Sequence, residues 1–297
     1  MPTGILLLDK PQGLTSNGAL QRVRKAFGAR SAGHVGTLDP MATGMLPLCL
    51  DEATKIIAEI ESGAKCYEFT VQLGARTDTG DAEGQVVERQ PVPMPESIAI
   101  ERVLERFRGL QQQIPPMYSA LKRDGRPLYE LARQGVEVER AARPIEIRRL
   151  ETSAFGADSI DLVCECAKGT YIRVLGEDIA RQMGTVGHLT RLRRTWVEPF
   201  RGMPMISLEA ALAAAEEAGR GLMRPDAALQ GLPQAQLTPA QETALRHGQA
   251  VQSACSPECA VGRRVRVYGA TGAFLGLAEA RPDGWLQPRR LIGADAA

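Results

Sequence analysis

Long apolar runs are missing from this 297-residue chain, and so is a strong excess of charge of either sign. Because no run of about 18 consecutive apolar residues occurs, we expect no transmembrane helix. The N-terminal stretch MPTGILLLDKPQG has no basic segment ahead of its four apolar residues, which argues against a signal peptide and predicts a cytoplasmic protein. The length suffices for one large domain or for two, each with a substantial core.

Histidine and cysteine are scarce, with three and six residues respectively. Cys255 and Cys259 could form half of a zinc site, but a second Cys or His pair at suitable spacing is missing, so we predict no metal site. Cys164 and Cys166 lie two positions apart on a predicted strand and share a face, which disfavours a bridge between them. We therefore expect reduced, structural cysteines.

The net charge of +1 does not by itself indicate a protein that binds polyanions. The charged residues are, however, unevenly distributed along the chain. Residues 121–150 contain eight basic and five acidic residues, residues 168–202 seven and three, and residues 203–260 three and six. This pattern fits either ordinary solvated faces or a basic surface confined to one part of the protein, as an RNA-binding cleft needs.

The order of helix and strand patterns is irregular. Because strands and helices do not alternate in a βαβ rhythm, we predict an α+β fold with a mixed, mostly antiparallel sheet. Residues 15–28 are typical of an amphipathic helix with Thr15 or Ser16 as N-cap, and DEATKIIAEIES predicts a helix capped by Asp51. KCYEFTVQLG alternates as a strand. From about residue 234, short β-like runs separated by Gly or Pro predict a small β domain.

Residues 33–49, GHVGTLDPMATGMLPLC, hold a single carboxylate, Asp39, among three glycines and two prolines. So many Gly and Pro residues disfavour both a core strand and a helix, and we predict a shaped loop. Pro40 biases Asp39 toward extended backbone, which would project its carboxylate from the loop. An Asp-Pro pair is also typical of a helix N-cap followed by proline, so both interpretations stay open at this level.

These residues resemble, nearly residue for residue, the active-site motif of the TruB family of tRNA pseudouridine synthases. The resemblance extends over residues 4–200, and the tail from Gln234 resembles a PUA-like RNA-binding module. It implies a pseudouridine synthase fold for residues 1–230, with an RNA-clasping insertion at about 120–145, and a PUA-like domain at 231–297. The other matching segments are GILLLDKPQGLTSN, DEATK, KCYEFTVQLGARTDTGDAEG, QIPPMYSALKRDGRPLYELARQG, RPIEI and KGTYIRVLGEDIA.

The resemblance implies that the protein isomerises one uridine, at position 55 in the TΨC loop of tRNA, to pseudouridine, with Asp39 as the catalytic aspartate. The reaction breaks the bond from C1′ to N1, turns the uracil and joins C5 to C1′. It needs no redox change and no group donor, so we expect no cofactor. An ionised aspartate could attack covalently or remove a sugar proton, and both routes stay open. The target base must first leave the stack.

The resemblance also assigns roles around Asp39. Tyr67 corresponds to the tyrosine that packs on the flipped uracil, and Arg173 to the arginine that holds the catalytic aspartate ionised and oriented. Without the resemblance, Tyr67 fits an apolar strand face beside Phe69, and Arg173 fits an ordinary surface position. Tyr171 and Arg173 would share a strand face and point into one cleft. The predicted substrate-binding residues are His34, Lys10, Gly36, Thr37, Asp78, Tyr171, Leu192, Lys122 and Arg123, of which Lys10 supports the loop and the last two hold phosphates.

The expected partner is the T stem-loop of tRNA, with no guide RNA and no membrane, and the resemblance implies a monomer. Three other functions are compatible with parts of the sequence. One is an RNA-binding or tRNA-folding protein with little or no catalysis, and another is a synthase that depends on a guide RNA. The third is a small-molecule hydrolase, which would need a water-activating partner or a metal that the sequence does not reveal.

Overall fold

The computed structural model describes residues 2–93, 97–123, 125–216, 221–253 and 259–293. None of the helices in these ranges is long and apolar enough to cross a membrane. The strands are β1 (Gly4–Lys10), β2 (Ala32–His34), β3 (Thr43–Leu50), β4 (Lys65–Leu73), β5 (Ala75–Thr77), β6 (Val86–Arg89), β7 (Gly109–Gln113), β8 (Lys122–Arg123), β9 (Arg126–Pro127), β10 (Arg143–Phe155), β11 (Ser159–Cys166), β12 (Gly187–Val197), β13 (Ile206–Ser207), β14 (Gln234–Gln236), β15 (Val251–Gln252), β16 (Arg264–Tyr268), β17 (Phe274–Ala280) and β18 (Trp285–Leu291). The α-helices are α1 (Ser16–Ala26), α2 (Ile57–Glu61), α3 (Ser97–Glu105), α4 (Leu128–Arg133), α5 (Ile172–Gln182), α6 (Leu208–Glu216) and α7 (Pro239–Arg246).

A nine-stranded sheet forms the centre of the fold. Its strand order is β13-β1-β3-β12-β4-β11-β10-β7, and β2 pairs with β3 at its side. Only β1 with β13 and β3 with β12 run parallel, while the other neighbours are antiparallel. The prediction of an α+β fold with a mixed, mostly antiparallel sheet is confirmed.

The core forms where helices cover the apolar face of this sheet. Strand β4 alternates as expected, and its Phe69 and Val71 lie in the same buried cluster as residues of α1 and α5. Helix α5 approaches β4 closely at Gly176, where a Cβ atom would lie 2.7 Å from Leu189 and 3.2 Å from Val71. At the start of α1, the hydroxyl of Thr15 accepts a hydrogen bond from Gly18 N at 2.9 Å, as expected for an N-cap residue.

A second sheet follows in the C-terminal part, with the order β14-β16-β17-β18-β15. It contacts the first part through polar groups, since Lys55 Nζ donates to Leu291 O at 2.7 Å and Arg264 lies 3.4 Å from Glu59. Phe274 also lies in one buried cluster with residues of β1 and β3. The boundary between residues 230 and 231 stays a prediction.

The prediction of a loop over the whole of residues 33–49 is wrong, because residues 43–50 form the buried strand β3. Gly44 has φ +98° and packs on the main chain of Arg194, which leaves no room for a side chain. Pro47 donates no hydrogen bond to the sheet, but its carbonyl accepts from Val35 N at 2.9 Å. Only residues 35–42 of this stretch lie outside helices and strands.

Two smaller predictions also need correction. Asp51 does not cap a helix: a 3-10 helix begins at Asp51 itself, and its carboxylate accepts from Arg30 N and Ser31 N at 2.7 and 2.9 Å. Cys259 is disulfide-bonded, contrary to the expectation of reduced cysteines. Cys255 lies outside the described residues. The four free, buried cysteines are Cys49, Cys66, Cys164 and Cys166.

Candidate active site

A cavity of about 300 Å³ opens beside the irregular segment 35–42. We call it the Asp39 cavity. Strands β4 and β12 supply one wall, and the chain segments before β8 and before α5 supply the other. Its lining residues are Gly36, Thr37, Leu38, Asp39, Glu61, Lys65, Tyr67, Tyr118, Ser119, Ala120, Leu121, Ala167, Lys168, Gly169, Thr170, Tyr171, Ile172, Arg173, Leu192 and Arg194.

Asp39 and Arg173 form a two-point ion pair in this cavity. Arg173 Nε lies 2.9 Å from Asp39 Oδ2, and Arg173 Nη2 donates to Oδ1 at 3.2 Å. The arginine side chain is only 5% exposed, whereas that of Asp39 is 34% exposed. Arg173 also donates to Thr79 O and Tyr118 O, at 2.8 and 2.7 Å. The guanidinium is therefore fixed by the protein, and the carboxylate it holds stays open to the cavity.

Arg173 reaches this position from a helix and not from a strand. The predicted shared strand face of Tyr171 and Arg173 is wrong, because the chain turns at Gly169 and α5 begins at Ile172. Both side chains nevertheless line the cavity. Gln113 fixes the start of the helix, since its side chain accepts from Tyr171 N at 2.8 Å and donates to Tyr171 O at 3.1 Å.

A second carboxylate, that of Asp81, lies close to Arg173. Its Oδ2 lies 3.7 Å from Arg173 Nε, and its side chain is 5% exposed. Thr79 Oγ1 and Glu83 N donate to Asp81 at 2.6 and 3.0 Å. Burial raises the pKa of Asp39 above its ordinary value, Arg173 opposes this rise, and the negative charge of Asp81 adds to it. Arg173 alone therefore does not set the ionisation of Asp39.

Tyr67 reaches the cavity from strand β4. The residue is 7% exposed and lies on the apolar strand face beside Phe69, yet it also lines the cavity. Its position on the apolar strand face is confirmed, whereas its packing on a flipped uracil stays a prediction. Burial raises the pKa of its phenol to about 12, although the charge and a hydrogen bond of Arg194 oppose the rise. The phenol is neutral near pH 7 as a result.

Two side chains outside the cavity hold residues 35–42, which we call the Asp39 segment. Lys10 is fully buried, and its Nζ donates to Pro11 O, Leu14 O and Pro40 O at 2.9, 2.6 and 3.3 Å. Burial lowers the pKa of Lys10 to about 8. Ser16 Oγ accepts from Leu38 N at 2.8 Å and donates to Leu38 O at 2.9 Å. The backbone on both sides of Asp39 is thus fixed.

The structure does not bring every predicted residue into the cavity. His34 lies half-buried in β2 with its Nδ1 unpartnered among the described residues, and Asp78 is exposed, its Oδ1 accepting from Gln85 N at 2.8 Å. Neither residue lines the cavity, whereas Gly36, Thr37 and Leu192 do. Lys122 and Arg123 form β8 and border a second cavity of about 390 Å³, together with Arg140 and Arg143.

Sequence reasoning missed Asp81 and Arg194. Asp81 is the second aspartate of the segment TDTGD, of which the first was chosen. The signal for Arg194 was its place in the strand pattern LTRLRRTWV, where an arginine falls on the buried side. Within the described ranges, no group of three His, Cys, Asp or Glu side chains is arranged to hold a metal ion.

Comparison with known proteins places the chain in a family. The model of the TruB family pseudouridylate synthase N-terminal domain matches residues 24–172, and that of the pseudouridine synthase II TruB C-terminal domain matches residues 233–292. A tRNA pseudouridine synthase B from Aromatoleum aromaticum is 49% identical over 294 residues, which are 99% of this chain and 94% of that protein. One from Pseudomonas fluorescens is 47% identical over 298 residues, 99% and 96% of the two chains.

Solved structures agree on the fold. A chain in the crystal structure of a Cbf5-Nop10-Gar1 complex matches with a TM-score of 0.76 at 23% identity, over 99% of this chain and 87% of that one. A chain in the structure of an H/ACA RNP bound to a substrate RNA containing 2′-deoxyuridine matches with a TM-score of 0.74 at 20% identity, over 98% and 86%. With two family models and near full-length relatives in agreement, the chain belongs to the TruB family of pseudouridylate synthases.

Proposed function

We propose that this protein converts the uridine at position 55, in the T loop of tRNA, to pseudouridine in the Asp39 cavity. As a member of its family the protein is a tRNA pseudouridine synthase. The observation that supports Asp39 as the reacting group is that its side chain lines the cavity and is 34% exposed while a buried arginine holds both carboxylate oxygens. A capping role would not need this arrangement.

The chemistry asks for a carboxylate of fixed orientation at the sugar of the target nucleotide. In the proposed reaction, Asp39 either attacks covalently or removes a sugar proton, and the bond from C1′ to N1 breaks. The uracil turns within the cavity and C5 joins C1′. Arg173 orients the carboxylate, and the anchors at Lys10 and Ser16 keep the segment from moving as the base turns.

Tyr67 and Leu192 are proposed to hold the flipped base between them. Flipping costs a few kcal/mol, and stacking on an aromatic ring returns about 1–3 kcal/mol per base. Stacking does not require Tyr67 to ionise, which fits its raised pKa. If the phenol oxygen takes the proton from C5, the nearby charge of Arg194 is what would favour the phenolate.

The RNA-binding surface is proposed to begin at the second cavity. Four cationic side chains border it, and Glu139 is the one acidic side chain among the described residues there; the cations are Lys122, Arg123, Arg140 and Arg143. These side chains would contact phosphates and would not read sequence. His34 would contact RNA beside the Asp39 cavity, and the PUA-like residues 231–297 would extend the surface. The proposal includes no guide RNA.

Replacing Lys122 and Arg123 by alanine should weaken tRNA binding and reduce its dependence on salt. Each lost phosphate contact should lower the slope of log affinity against log salt by about 1, and the single-turnover rate at saturating tRNA should not change. The measurement is a binding titration at several salt concentrations. The matched control is the double alanine variant of Arg148 and Arg149, an exposed adjacent pair whose partners are Glu146 and Glu151. Equal effects in both variants would contradict the proposed surface.

The direct test of function uses unmodified tRNA transcript labelled at C5 of uridine, with no guide RNA, nucleotide or metal added. We expect release of the C5 hydrogen and pseudouridine at position 55 alone. A transcript with cytidine at that position is the control and should release nothing. Tight binding without release would favour a tRNA-folding protein, and release only after a guide RNA is added would favour a guide-dependent synthase.

A further inference from the structure

Arg194 is the largest fully buried side chain in the described part of the molecule, and it has no acidic partner there. It lies on β12 with 1% exposure, and among the described residues no carboxylate is within ion-pair distance of it. A buried guanidinium is costly unless hydrogen bonds satisfy its donors. Burial and, after it, the charge of Arg194 lower the pKa of the neighbouring Lys65 and His34.

The donors of Arg194 join the two ends of the Asp39 segment. Nε donates to Met45 O at 2.7 Å, while Nη2 donates to Val35 O and Gly36 O at 3.2 and 3.0 Å. Val35 and Gly36 precede Asp39, and Met45 follows it. The main chain of Arg194 also pairs with Gly44 in the parallel register of β12 with β3. Arg194 therefore holds together the main chain before and after Asp39.

The same guanidinium faces Tyr67 and the Asp39 cavity. Its third nitrogen, Nη1, takes no part in the three carbonyl bonds and lies against Gly36, where a Cβ atom would approach it to 3.0 Å. Arg194 lies directly opposite Tyr67 in the antiparallel register of β12 with β4, its charge opposes the rise in the pKa of the phenol, and both residues line the cavity. It thus contacts the main chain on both sides of Asp39 and lies beside Tyr67, which is proposed to pack on the uracil.

We propose that Arg194 is a positioning residue for the isomerisation, whose guanidinium holds the Asp39 segment and the Tyr67 phenol at a fixed separation. This proposal rests on the proposed function. The planar fork of arginine can serve carbonyls on two sides and the phenol together. Lysine carries the same charge as one compact ammonium, which reaches fewer of these acceptors.

The test is Arg194→Lys, measured as the single-turnover rate of C5 hydrogen release at saturating tRNA. We expect a loss of about 100-fold, because a displacement of about 1 Å at reacting groups costs this much, with tRNA affinity within about twofold of wild type. The matched control is Arg108→Lys, since Arg108 also donates to a main-chain carbonyl, through Nε and Nη2 to Leu150 O at 3.0 and 2.6 Å, but lines neither cavity. It should keep the wild-type rate.

A double-mutant cycle with Tyr67→Phe separates positioning from loss of stability. If Arg194 acts in part through the phenol, Arg194→Lys should cost less in the Tyr67→Phe background than in wild type. Should Arg194→Lys fail to melt cooperatively, Gly36→Ala takes its place in the cycle, because it strains the main chain that Arg194 holds, at φ +68°, and its methyl group would lie 3.0 Å from Nη1. Three results would overturn the proposal. They are a wild-type rate in a folded Arg194→Lys, a change in tRNA affinity without a change in rate, and a rate loss from Arg194→Lys that is the same in the Tyr67→Phe background as in wild type. An inactive wild type would instead refute the proposed function.

Discussion

Asp39→Asn is expected to lower the single-turnover rate of C5 hydrogen release from labelled tRNA by at least about 10⁴-fold, the upper range for removal of a positioned acid or base. Asparagine has nearly the shape of aspartate, so the loop and the contact to Arg173 should largely persist. It can neither attack C1′ as a carboxylate nor take a sugar proton. We therefore expect tRNA affinity and thermal melting close to wild type.

A surface ion pair on the same helix as Arg173 supplies the control for this result. Asp178 and Arg181 lie 2.6 Å apart on α5. Asp178→Asn removes a carboxylate of similar side-chain exposure, 37% against 34% for Asp39, but outside the cavity, and should leave the rate unchanged. If Asp39→Asn retains a rate near that of wild type while it folds and binds tRNA, Asp39 only shapes the segment 35–42, and the proposed mechanism is wrong.

Those parts of the fold that depend on neighbouring residues could be predicted from the sequence. Strand β4 follows from alternation over nine residues, and α1 from a cap residue, an apolar stripe and Gly28 at its end. In both, the deciding interactions lie within one element. The mixed sheet was predicted as a class from the irregular order of elements, but its strand order was not, since pairing is fixed by contacts distant in sequence.

The errors occur where distant contacts override local preference. Gly44 and Pro47 disfavour a strand by propensity, yet β3 forms because β1, β2 and β12 pair with it on two sides. The same reason explains why the site was only partly predicted. Asp39, Tyr67 and Arg173 followed from the family resemblance. Asp81 and Arg194 act through partners far away in the chain, so their positions had to come from the structure.

Two replacements of Arg173 should distinguish the effect of its positive charge from the effect of its hydrogen-bonding geometry on the reaction rate. The positive charge of Arg173 lowers the pKa of Asp39 against the opposing effects of burial and Asp81. In Arg173→Gln this charge is lost, so the pKa of Asp39 rises further. Because the reaction needs the ionised carboxylate, activity is lost as the pH falls through that pKa, and the acidic limb of the pH–rate profile should move to higher pH. The plateau rate should also fall by about 100-fold or more.

Arg173→Lys keeps the charge but cannot hold both carboxylate oxygens together with Thr79 O and Tyr118 O. Its acidic limb should stay near that of wild type, whereas its plateau should fall by about 100-fold. The measurement is the single-turnover rate at saturating tRNA across the acidic pH range, with Arg181→Gln as the control on α5. An acidic limb that moves equally in the lysine and glutamine variants would mean that geometry sets the ionisation of Asp39. If neither variant changes the acidic limb or the plateau rate, Arg173 serves only to hold the main chain at Thr79 and Tyr118.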